Sequence, residues 1–171
     1  MSDKMYRFAV FLVAVLVWVE AEVDVRVCVE TAAYNGACCR FNMTGEKIAM
    51  LRECTGNSKS DPSDPKNCDF ETCYGLKAGF LFSNGTIDKT SFEAMIEEDF
   101  QNNSDVKELL KEKCLVDDLS FYALPDINMC EAKKIGNCLR VYTLLNCPQW
   151  QDSEHCNKVK DTIKECESVY P

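Results

Sequence analysis

The sequence predicts an all-α fold: one disulfide-rich domain of about six to eight helices. Three observations predict it. Apolar residues recur at helical spacing in several segments, and no stretch shows sustained two-residue alternation. Twelve cysteines run from Cys28 to Cys166, with no linker long enough to separate two domains. Hydrophobic residues make up 46% of the 171 residues, too many for intrinsic disorder.

The first segment reads as an address. Lys4 and Arg7 give a positive start, Phe8 to Val19 is an unbroken apolar run, and Val19-Glu20-Ala21 offers small residues at a cleavage site. The run is shorter than the roughly 20 residues of a membrane span. Residues 1–21 are therefore expected to be a cleaved signal peptide, and residues 22–171 the single mature domain. Loss of Asp3, Lys4, Arg7 and Glu20 leaves the charge unchanged at -9.

The elements follow in order. Gly45–Cys54 reads as a short helix with Ile48, Met50 and Leu51 apolar and Gly56 as its stop. Ser58–Lys66, with two prolines, is the clearest loop. Cys68 to Phe80 carries Cys73, Leu76 and Phe80 at helical spacing, with Gly79 near its end and a turn at Ser83-Asn84-Gly85. Asp88 can cap a helix in which Phe92, Met95 and Ile96 share a face. Ser104 or Asp105 caps another, striped by Val106, Leu109, Leu110 and Cys114. Ile127 to Cys147 holds the strongest pattern: Ile135, Cys138, Leu139, Tyr142 and Leu145. Ser153 to Cys166 is a more polar helix.

In an oxidising compartment an even cysteine count implies a disulfide framework of up to six bridges. Cys28, Cys38, Cys39, Cys54, Cys68, Cys73, Cys114, Cys130, Cys138, Cys147, Cys156 and Cys166 all survive signal cleavage. Adjacent Cys38 and Cys39 are expected to have different partners. Three glycosylation sequons, at Asn42, Asn84 and Asn102, agree with secretion. A chain of this length buries roughly 70% of its unfolded surface, so it does not need six bridges merely to fold. Each bridge can contribute about 3–4 kcal/mol by constraining the unfolded chain. Such cross-linking lets a fold tolerate an internal cavity, which otherwise costs on the order of 24 cal/mol per Å³.

Composition also excludes functions. Acidic side chains outnumber basic ones 28 to 19, with a pI near 4.7. That argues against a nucleic-acid or anionic-membrane binder, which needs a basic footprint. The single histidine, His155, lies in a polar stretch, so no His-dependent catalytic system is expected. Cys38-Cys39 resembles the paired cysteines of secreted phospholipases, but Arg40 and Phe41 follow where those enzymes carry His-Asp. No CxxC occurs, which disfavours zinc. With Gly85 as the sixth position of a calcium loop, Phe80, Phe82 and Ser91 would fall at positions 1, 3 and 12, so no carboxylate is supplied. No catalytic residue, metal or cofactor is expected.

The segment Leu51-Arg52-Glu53-Cys54-Thr55-Gly56, followed by Cys68-x4-Cys73, Gly79-Phe80 and Asn84-Gly85-Thr86-Ile87-Asp88, resembles an insect odorant-binding protein. Cys114, Cys138 and Cys147 resemble the last three of that family's six core cysteines, with eight residues between Cys138 and Cys147. Pro148 after the sixth, with extra cysteines around the core, resembles the Plus-C subfamily. Two features depart from the family: four residues separate Cys68 and Cys73, where three are usual, and only 13 separate Cys54 and Cys68. Cys39 is the alternative first core cysteine. The interlocked family pairing implies Cys54–Cys73, Cys68–Cys138 and Cys114–Cys147. The other six cysteines allow 15 pairings.

The resemblance implies a helical domain around an apolar cavity. It also implies a secreted carrier that moves small hydrophobic molecules through aqueous lymph and makes or breaks no bond. Leu76, Phe80, Phe92, Met95, Ile96, Leu110, Leu139, Tyr142 and Leu145 are the expected lining, with Tyr142 the expected polar contact. A membrane receptor or a second copy of the chain are the further partners, and no membrane insertion follows signal cleavage. The second reading is a secreted protein-interaction module without a functional cavity. With one histidine, weak pH dependence between pH 5 and 7 is expected.

Overall fold

The computed structural model describes residues 23–41, 44–57, 64, 66–123, 126 and 128–170. The expected signal peptide lies outside them, as do Asn42, Ile127 and most of the Ser58–Lys66 loop. Among the described residues there are seven α-helices and no strand beyond two isolated bridges. They are α1 Val25–Asn35, α2 Gly45–Asn57, α3 Asp69–Lys77, α4 Lys89–Asp99, α5 Ser104–Cys114, α6 Glu131–Leu145 and α7 Glu154–Glu165. The all-α, disulfide-rich reading of the sequence holds.

Local chemistry sets most of the boundaries. Asp88 caps α4 by accepting from the backbone N–H groups of Thr90 and Ser91. Ser153 caps α7 by accepting from Cys156 N–H. Thr44 accepts from Lys47 N–H at the start of α2. Helix α3 stops at Lys77, before Phe80, because Gly79 takes φ +80°. Phe80 N–H then reaches back to Gly75 C=O, and Gly79 N–H to Leu76 C=O, closing a Schellman turn.

Helix α1 is the element the periodicity analysis does not find. Val25-Arg26-Val27-Cys28-Val29 is rich in β-branched residues, which are mediocre helix formers. Tertiary context overrides that preference. Asp24 caps the helix, Arg26 pairs with Glu30 one turn on, and Cys28, Val29 and Ala32 face the core.

Helix α6 is the axis of the domain. Helices α1, α3, α5 and α7 all pack on it. Its buried residues include Ile135, Cys138, Val141, Tyr142 and Leu144, and the buried amide of Asn137 donates to Tyr122 C=O at 3.0 Å. It begins at Glu131, after Cys130.

Six bridges use all twelve cysteines: Cys28–Cys166, Cys38–Cys156, Cys39–Cys147, Cys54–Cys73, Cys68–Cys130 and Cys114–Cys138. Cys38 and Cys39 do take different partners. Cys54–Cys73 is as expected, whereas the Cys68–Cys138 and Cys114–Cys147 pairings are corrected. Cys138 lies on the face of α6 turned toward α5 and meets Cys114 there. Cys147 lies past the end of α6, where the chain bridges Cys39–Arg40 antiparallel at Trp150. Taken in chain order, Cys54, Cys68, Cys73, Cys114, Cys130 and Cys138 join first to third, second to fifth and fourth to sixth. That is the interlocked order, realised one cysteine earlier at its last two places. Pro148 therefore follows a cysteine outside that set.

Candidate ligand cavity

A cavity of about 710 Å³ lies between α2, α3, α4 and α6 and the segment 36–41. Its walls are largely apolar and aromatic. Phe70 and Tyr74 project from α3, Met95 from α4, and Ile135, Leu139 and Leu144 from α6. Phe41 and Phe100 close one side edge to face, 5.7 Å between ring centres. Gly36, Ala37, Arg40 and Gln149 line the cavity and are exposed, so this is its mouth.

The aromatic residues form a continuous path from cavity to core. Phe70 stacks on Tyr74 at 6.3 Å, Tyr74 meets Phe80 at 6.2 Å, and Phe80 meets Phe92 at 5.1 Å. Such ring pairs contribute about 0.5–1.5 kcal/mol beyond their burial, and they hold the wall in one shape. Burial pushes the Tyr74 phenol above its ordinary value, so it stays neutral and able to donate a hydrogen bond at physiological pH.

Four charged groups on the wall are paired. Arg140 donates to Glu71 at 3.2 Å, and its guanidinium lies over the Phe70 ring, 6.0 Å from the centre. Lys47 is ion-paired with Asp99. These pairs bring apolar and polar recognition into one space, the composition of small-molecule sites of 300–1,000 Å³. Among the described residues, no group of three or more His, Cys, Asp or Glu side chains is placed to hold a metal.

Of the residues expected to line the cavity, Phe80, Met95 and Leu139 do so. The others are corrected. Leu76 is 45% exposed, on the face of α3 turned to solvent. Phe92, Ile96 and Leu110 are fully buried in the core behind the wall. Leu145 packs against the core without reaching the cavity. Tyr142 does not reach the cavity, and its hydroxyl lies 3.3 Å from that of Tyr122. Helical spacing found the apolar stripes but not which side of each stripe meets a void. Phe41, Phe70 and Phe100 were missed because each stands near an element end, outside the periodic stripes. Their aromatic character was the available signal.

Asn84 and Asn102 are both exposed, and Asn84 accepts from Thr86 N–H in its own turn. No described helix is long and apolar enough to cross a membrane. Six disulfides fit an extracellular or secreted protein. Comparison with family models, with curated proteins and with solved structures gave no match.

Proposed function

We propose that this protein is a secreted carrier of small hydrophobic molecules, related in its working to insect odorant-binding proteins. The observation that carries the reading is the 710 Å³ cavity, walled by aromatic and aliphatic side chains within a six-disulfide frame. The interlocked order of Cys54–Cys73, Cys68–Cys130 and Cys114–Cys138 supports the same reading. So does the acidic chain, which suits free diffusion in an aqueous fluid.

Binding is burial without chemistry. Apolar ligand surface leaving water contributes roughly 25 cal/mol per Å². The bridges keep the walls apart when no ligand is present, so little ordering cost falls on the binding step.

The test is titration of the oxidised protein with an environment-sensitive apolar fluorophore, followed by displacement with aliphatic alcohols. A reduced and alkylated sample is the control. Saturable micromolar binding that is lost on reduction is the expected result. Absence of saturable binding to an oxidised sample with full helix content would overturn the carrier reading and favour a protein-interaction module.

A further inference from the structure

The cavity wall carries more charge than an apolar cargo needs, and the charge does not balance. Five ionic side chains border the space: Arg40, Lys47, Glu71, Asp99 and Arg140. Glu71 holds Arg140, and Asp99 holds Lys47. Among the described residues no acidic side chain pairs with the Arg40 guanidinium. Lys47 also stands 3.9 Å from Glu98, so the cation of the lining left without an acidic partner is Arg40, on a chain whose total is -9.

Arg40 is also held in place at the mouth. Its neighbours Cys38 and Cys39 are bridged to Cys156 and Cys147. Its own N–H donates to Gln149 C=O at 2.9 Å, and Gln151 N–H donates to Cys38 C=O at 2.8 Å. The backbone that carries this cation is thus fixed from both sides. Behind it the walls are apolar and aromatic. A ligand that filled the cavity with a chain and left its head group at the mouth would place that head group beside Arg40.

Resting on the carrier reading, we infer that the cavity selects apolar molecules bearing a carboxylate, with the carboxylate received by Arg40. A planar guanidinium matches a carboxylate with two parallel hydrogen bonds, which an alcohol cannot reproduce. A cationic head group at the same place would meet an uncompensated positive charge.

The experiment is displacement of the fluorophore by a series of equal chain length: dodecanoate, dodecanol and dodecylammonium. Dodecanoate is expected to bind about tenfold more tightly than dodecanol, with dodecylammonium weakest. In the Arg40→Gln variant the acid-to-alcohol ratio falls to about one. Lys160→Gln, which removes the same charge on exposed α7, retains the ratio. High salt narrows the gap, because the mouth is exposed. Equal affinity of acid and alcohol, or an unchanged ratio in Arg40→Gln, would overturn the inference while leaving the carrier reading intact. Failure of all three compounds and of the fluorophore would overturn both.

Discussion

Gly75 and Leu81 approach so closely that a Cβ on Gly75 would stand 2.9 Å from the Leu81 Cβ. The same atom would stand 3.2 Å from the Phe80 ring. Gly75 C=O also accepts from both Phe80 N–H and Leu81 N–H, so this corner aims Phe80 at the cavity. Gly75→Ala is expected to destabilise the protein by about 1–3 kcal/mol through overpacking. Fluorophore affinity should fall as well, because Phe80 must shift. Urea unfolding of the variant at wild-type stability would count against this account of the corner.

Outside the cavity lining, Tyr170 lies between Tyr122 and Tyr142, with ring centres 6.0 Å from each. Its hydroxyl is buried and finds no partner among the described residues. An orphaned buried donor costs about 1–3 kcal/mol. Tyr170→Phe should therefore leave stability unchanged or raise it by about 1 kcal/mol. Tyr122→Phe breaks the 3.3 Å hydroxyl pair with Tyr142 and should cost about 1 kcal/mol. Thermal melts of the two variants should move in opposite directions or differ clearly in size.

Alkaline pH should find the same cluster. Burial raises the phenols of Tyr122 and Tyr170, and that of Tyr74 in the cavity wall, above the ordinary value of 10.0. A raised native value means that the unfolded chain loses these protons first. Their contribution is whole below about pH 10 and is lost as pH rises through the native values. Urea midpoints should hold to about pH 9 and then drop, with ionisation of these three phenols appearing together with unfolding. Gradual ionisation of Tyr74, Tyr122 and Tyr170 in a still-folded protein would contradict this burial.

Lys133 is a buried cation with a structural task. Its ammonium donates to Asp64 C=O and Asn67 C=O, each at 2.9 Å, and so holds the chain just before Cys68. Burial lowers its pKa. Lys133→Met is expected to cost about 1.5–3 kcal/mol, because two carbonyls lose a charged donor. Faster hydrogen exchange should be confined first to the residues around Asn67.

The rim of the cavity depends on Cys39–Cys147. Replacing both cysteines by serine should cost about 2–4 kcal/mol and weaken fluorophore binding, since the bridge fixes the segment that carries Arg40 and Phe41. Non-reducing peptide mapping of the wild type should recover Cys68–Cys130 and Cys114–Cys138. A Cys68–Cys138 peptide would show that the chain links its core in the other register.

Local signals were legible in the sequence wherever short-range physics decides. Asp88 and Ser153 carry short side chains whose oxygens reach backbone N–H groups in the next turn, and both cap their helices. The stripe on α6 marked the most buried helix, because an apolar face every three to four residues must pack against something. Helix class and the use of all twelve cysteines in bridges followed from the same residues. Which cysteine meets which is another matter. Seven residues stand between Cys130 and Cys138 and eight between Cys138 and Cys147, so spacing could not choose between them, and only the turn of α6 toward α5 did. The cavity was likewise a tertiary decision. Phe92 and Phe80 look alike in sequence, yet one is core and the other is wall, because a void belongs to the space between helices and to none of them singly.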